Sequence, residues 1–278
     1  MGSNKNPWEQ VMRSLEYFET HPVFTHAEFL AAHTAKGRSP STSNNLLAKH
    51  LAAKRLLRVR RGLYATVPRG TDPAHAAVDP YLIASHLSED AVVAYHAALQ
   101  FFGKTYSVWQ RFHYLSARRA KSFSFRKMEF VPVLRQATAR SGSAKEEGIL
   151  ETTHGGGQVR ITTLERTMVD VLSAPDKGGS WEEIWRSLEM VEFFDIDAVL
   201  RHTHANGSAL TAARVGFYLE QHRDSLMLED KHLKPFEKLS PAQPGYLDST
   251  RTPGKLLKRW NLIVPDYVLN RRWEETAG

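Results

Sequence analysis

Apolar residues at Trp8, Val11, Met12, Leu15 and Phe18 recur every three or four positions, which predicts an opening helix over 8–18 with one apolar stripe. Thr25 followed by Glu28 has the spacing of a capping box, in which a hydroxyl and a carboxylate satisfy each other's backbone N–H groups. A second helix is therefore expected over 25–33. The Gly37-Arg38-Ser39-Pro40 stretch breaks it. A third helix follows over 41–55, entered through Ser, Thr and Asn residues able to cap it. At about 100° per residue, Leu47 and Leu51 define its buried face with Leu46 and His50 alongside; Thr42, Asn45, Lys49 and Ala52 lie opposite. Leu57-Arg58-Val59 and Leu63-Tyr64-Ala65 then alternate about Arg60-Arg61-Gly62, where glycine can take the positive φ of a tight turn. Helix, helix, helix, hairpin is the outline of a winged helix-turn-helix with arginines at the wing tip.

A Pro- and Gly-containing stretch follows, and residues 71–80 are expected to link a domain over 1–70 to one over 81–278. In the second region, 81–87 and 91–102 read as helices, the latter stopped by Gly103. Residues 111–115 read as a strand, and 123–134 as a second with a phase change. Strands over 149–153 and 158–162 flank His154-Gly155-Gly156-Gly157. That glycine run lacks the following Lys-Ser/Thr of a phosphate loop and lies between strands, so it is a turn. Thr162 with Glu165, and Ser180 with Glu183, have capping-box spacing and open helices through Leu172 and over 181–191. Helices over 196–204 and 210–222 precede short strands and loops over 239–268. The fold class is α+β, an N-terminal winged helix-turn-helix followed by a larger mixed α/β domain.

Charge sharpens this outline. No acidic residue falls between Glu28 and Asp72, while nine Lys or Arg do. Residues 1–70 hold 11 Lys/Arg against 4 Asp/Glu and the remainder 26 against 26, so the net charge of +7 belongs to the first quarter. A local cationic surface on a groove-sized helix points to double-stranded DNA. Lys49, Lys54, Arg55, Arg58, Arg60 and Arg61 are expected on phosphates. Ser41, Thr42 and Asn45 stand at the helix entry, where Thr42 and Asn45 would meet base edges, since Asn can pair bidentately with adenine. From Ala91 to Met128 there are again basic residues and no acid: Arg111, Arg118, Arg119, Lys121, Arg126 and Lys127, with Lys104, form a second candidate phosphate surface or a merely charged sheet face.

Little points to catalysis. With no cysteine there is no thiolate nucleophile, disulfide or Cys-based zinc site, and a reducing, cytoplasmic setting is expected. The densest histidines, His202 and His204, are two apart on a predicted helix and face different ways. No metal or cofactor is expected. Glu129 and Glu151 with Lys127 or Lys145 lack convincing nuclease spacing, and the chain is read as a non-enzyme. No apolar run approaches the roughly 20 residues that span a bilayer.

The segments Asn44-Asn45-Leu46-Leu47-Ala48-Lys49-His50-Leu51 and Leu57-Arg58-Val59-Arg60-Arg61-Gly62-Leu63-Tyr64-Ala65, followed by Ala94-Tyr95-His96-Ala97-Ala98-Leu99-Gln100-Phe101-Phe102-Gly103, Thr167-Met168-Val169-Asp170 and Trp260-Asn261-Leu262-Ile263-Val264-Pro265, occur in an order that resembles AbiEi-type antitoxins. The resemblance implies the antitoxin of a type IV toxin–antitoxin pair linked to abortive infection by phage. Such a protein represses its own operon through inverted repeats and counters a nucleotidyltransferase-type toxin. A ligand-responsive winged-helix regulator without antitoxin activity, and a DNA-processing enzyme, stay open beside it.

Overall fold

The computed structural model describes residues 7–135 and 147–273, with side chains from Ser14 onward, as a mixed α+β molecule. The stripe residues Trp8, Val11 and Met12, and Lys145, lie outside the described side chains.

The chain opens with α1 (Pro7–Thr20), β1 (Val23–Thr25), α2 (His26–Thr34), α3 (Pro40–Ala52), β2 (Leu56–Arg60) and β3 (Leu63–Thr66). The Thr25 hydroxyl accepts the Glu28 N–H, and the Glu28 carboxylate accepts the Thr25 N–H at 2.6 Å, so the expected box opens α2. Helix α3 starts one residue earlier than its apolar pattern indicates. Ser39 is the N-cap and Pro40 takes the first turn, where its missing N–H costs nothing. Strand β1 is too short to show periodicity, yet it joins the hairpin in a three-stranded sheet of order β1-β3-β2.

Both faces of that sheet are covered. Phe24, Leu56 and Tyr64 face the helices and pack with Tyr17, Phe18, Phe29, Leu46 and Leu47. Val23, Val59, Leu63 and Ala65 face the other way, into a core shared with Tyr81, Leu82, Phe112 and Phe130. Between these units the expected linker is tied down. Ala76 is fully buried, Arg126 donates to the carbonyls of Pro73 and Ala76, and Asp79 caps the next helix.

That helix is α4 (Pro80–Ser85). It is followed by β4 (Val92–Val93), α5 (His96–Phe101), β5 (Arg111–Ser116), β6 (Phe123–Phe125), β7 (Met128–Leu134), β8 (Ile149–His154) and β9 (Gly157–Thr162). The strands form one six-stranded sheet of order β6-β7-β5-β4-β9-β8. The single helix expected over 91–102 is instead β4, a left-handed Tyr95 (φ 59°) and α5. Every residue from Ala91 to Leu99 is buried, so the run carries no amphipathic period to separate strand from helix. Likewise Arg126, at φ 55°, folds the expected strand over 123–134 into the hairpin β6–β7.

The remaining elements are α6 (Leu164–Ser173), α7 (Pro175–Gly178), α8 (Trp181–Glu189), α9 (Ile196–Asn206), α10 (Ala209–Gln221), α11 (Asp230–Leu239), β10 (Gly245–Tyr246), β11 (Lys255–Leu257), β12 (Leu262–Val264) and α12 (Asp266–Leu269). Thr163, not Thr162, caps α6, because Thr162 still belongs to β9. Ser180 caps α8 as expected, but the Glu183 carboxylate turns inward. It accepts from Ser107 N–H (3.0 Å), Ser107 Oγ (2.7 Å), His96 Nε2 (3.0 Å) and Ser187 Oγ (3.2 Å). Helix α11 escapes the sequence pattern because Pro235 lies inside it. These helices enclose a third core around Trp185, Phe217 and Trp260.

Candidate nucleic-acid interface

Helix α3 buries Ser43, Leu46, Leu47 and His50, leaving Ser41, Thr42, Asn45, Lys49 and Ala52 exposed. The Ser39 hydroxyl fixes its entry, accepting the Thr42 N–H at 3.2 Å and lying 2.9 Å from the Thr42 hydroxyl. Asn44 is committed: its Oδ1 accepts from His26 Nε2 at 2.7 Å, bracing α3 against α2. Asn45, one residue on, has no intramolecular hydrogen bond among the described residues, so both halves of its amide are available to a ligand. The sequence patterning puts Asn45 on the exposed side of α3 but gives no sign of the His26–Asn44 brace.

Beneath this face, burial pushes the His50 imidazole down to about 4, with like charge from Arg55 and His33 adding to the effect. A neutral ring there lets α3 lie on the Phe18 edge, 4.8 Å away, without a buried charge.

The cations around α3 separate into two kinds. Lys49, Lys54, Arg58 and Arg61 are exposed and have no ion pair among the described residues. Arg55 is exposed, with one nitrogen 3.5 Å from His50 Nδ1. Arg60 differs from the expectation that it points outward at the hairpin tip. It donates to the Leu87 carbonyl at 2.8 Å and sits 5.3 Å over the Phe123 ring. A register slip between Arg58 and Arg60 explains the change. Strict alternation would place Arg60 on the side of Leu56 and Arg58. The extra bulge residue moves it to the side of Leu57 and Val59, against the second unit.

The second basic set divides in the same way. Arg111 pairs with Glu129 at 2.8 Å across β5 and β7, and Arg126 is spent on the Pro73 and Ala76 carbonyls and stacks over Phe125. Arg118, Arg119, Lys121 and Lys127 are exposed without ion pairs among the described residues. Because Arg60 holds Phe123 at the start of β6, the cationic loop before it is brought up to the β2–β3 hairpin.

The carboxylates considered for nuclease chemistry are not brought together: Glu129 lies on β7 and Glu151 on β8, on opposite sides of the sheet order. His202 is buried and His204 exposed. Among the described residues no three His, Cys, Asp or Glu side chains are grouped to hold a metal ion, and no helix is long and apolar enough to cross a membrane.

No protein-family model matches the chain, and no curated protein matches it. A solved structure that it resembles is that of the RV2827C protein from Mycobacterium tuberculosis, with a TM-score of 0.65 and 17% sequence identity, covering 97% of this chain and 95% of that one. At that identity the likeness is one of fold, and it extends over nearly the full length of both chains.

Proposed function

We propose that this chain is a DNA-binding repressor and antitoxin that acts by binding rather than catalysis. Its N-terminal unit would be a winged helix with α3 as the recognition helix and β2–β3 as the wing. The observation that carries this reading is the outer face of α3. Thr42, Asn45 and Lys49 stand exposed on a helix braced from behind, flanked by Lys54, Arg58 and Arg61, none of them neutralised by a carboxylate among the described residues. Exposed, unpaired cations beside this helix face fit a polyanion, with phosphate contacts setting register and Asn45 reading an adenine edge. The loop bearing Arg118, Arg119 and Lys121 would lengthen the phosphate track past the wing.

The antitoxin half of the proposal rests on the resemblance to AbiEi-type antitoxins. Its test is rescue of growth when the full chain is co-expressed with a nucleotidyltransferase-type toxin. For the DNA half, the full chain is titrated against duplexes from its own promoter region and against scrambled duplexes across a salt series. Asn45→Ala is expected to lose about 1–3 kcal/mol on the preferred duplex and little on the scrambled one. Equal losses on both would remove Asn45 from base readout, and no binding to any duplex at low salt would end the DNA-binding reading. Deleting residues 1–70 is a poor experiment, because it uncovers the apolar surface of the shared core beneath Val23, Val59, Leu63 and Ala65.

A further inference from the structure

Behind the C-terminal end of α3 lies a cavity of about 1070 Å³, at the upper end of the range for small-molecule sites. Its walls come from the end of α1, the segment after α3, the 66–79 stretch that joins the two units, Leu82 on α4 and Gly155 in the β8–β9 turn. Phe18, Pro22, Val67, Val78 and Leu82 make the lining predominantly apolar. The apolar part of this lining favours a hydrocarbon or aromatic body.

Five charged residues border it: Glu19, Lys54, Arg55, Arg69 and Asp79. Three are already committed. Glu19 and Arg69 pair with each other at 3.0 Å. Asp79 accepts the Tyr81 and Leu82 N–H groups through one oxygen and pairs with His154 at 2.8 Å through the other. Nearby Asp72 is held by the Ala74 N–H and the His75 ring. What remains is Lys54, which makes no ion pair among the described residues though Asp72 feels its charge, and Arg55, one of whose nitrogens lies 3.5 Å from His50 Nδ1. The Lys54 backbone takes the left-handed conformation (φ 55°) that ends α3 beside the cavity.

We propose that this cavity is a binding site for a small amphipathic anion, a molecule with an apolar body and one carboxylate, the carboxylate meeting Lys54 and Arg55. The site stands on cavity shape and charge, and because Lys54 is also among the cations proposed to meet DNA, it is tested on the DNA-free chain.

Calorimetric titration of the full chain with dodecanoate tests it, with dodecyltrimethylammonium as the same chain bearing the opposite charge. One molecule of dodecanoate per protein is expected, bound at least tenfold more tightly than the cation. Lys54→Ala combined with Arg55→Ala, both exposed positions, should weaken dodecanoate at least tenfold and leave the cation unaffected. Ala77→Trp, which places an indole in the cavity from an exposed lining position, should abolish binding while circular dichroism shows the fold retained. Equal affinity for the two amphiphiles, or dodecanoate binding that survives both variants, overturns the proposal.

Discussion

Arg60 offers the sharpest separation between a cation that holds the fold and one that meets a ligand. Arg60→Ala removes a charged donor from the Leu87 carbonyl and a guanidinium from the Phe123 face. A hydrogen bond from a charged group contributes about 1.5–3 kcal/mol, and a cation–π contact at a partly exposed site about 0.5–1 kcal/mol. Arg60 is half-buried, so the lower ends apply, and the expected loss is about 2 kcal/mol. With an m-value of about 3 kcal/mol/M, the urea midpoint should fall by roughly 0.7 M. In the proposed DNA complex the salt dependence of binding should not change, because the side chain faces the second unit. Arg61→Ala is the mirror image: the midpoint stays put, while the slope of log K against log salt falls by about 0.9, one phosphate contact. Urea melts and anisotropy titrations of the two variants suffice. If Arg60→Ala flattened the salt slope and left the midpoint alone, the bulge-driven inward turn of this arginine would be refuted.

Further outcomes follow from the packing. Gly216→Ala on α10 would put a Cβ 2.1 Å from the Trp260 ring, and overpacking against a buried indole should cost about 1–3 kcal/mol; an unchanged thermal midpoint would contradict it. Glu183→Ala strands four donors, including the buried His96 ring and the backbone N–H of Ser107, and should cost about 1–3 kcal/mol for each buried donor left unpaired, with proteolysis of the 104–109 segment as a local readout. His50 and His113 are both held down to about 4, chiefly by burial. Their folded values lie below the unfolded one, so the unfolded chain binds more protons between about pH 6.5 and 4. Their contribution to stability is complete above that window and is lost as pH falls through it, so thermal midpoints that stayed level from pH 7 to 4 would exclude it.

The parts of the fold that were legible in the sequence are those where one face is wet. Helix α3 shows its buried and exposed sides through Leu46, Leu47, Thr42, Asn45 and Lys49. The caps at Thr25 and Ser180 announce themselves through side chains that bond locally. The His154-Gly155-Gly156-Gly157 turn is equally plain, since Gly155 and Gly156 both adopt positive φ. Legibility ends where both faces are dry or where geometry departs from a period. The run from Ala91 to Leu99 is buried throughout and conceals a strand, a left-handed Tyr95 and a helix. The charge pattern located the cations of the candidate interface but could not sort them, because Arg60 and Arg61 look alike in sequence and a single bulge sends one inward. Arg111 and Arg126 were indistinguishable from Arg118 and Arg119 for a similar reason, since their partners lie 18 and up to 53 residues away.

The N-terminal sheet, with helices on one side and the second unit on the other, leaves α3 no swivel. In the proposed DNA complex, whatever grips the second unit also aims α3, and two molecules seated on neighbouring half-sites would have to fit as whole bodies. Moving such half-sites apart by about five base pairs, half a helical turn, would carry the second body to the far side of the duplex. Among the described residues, no untied linker could bring it back.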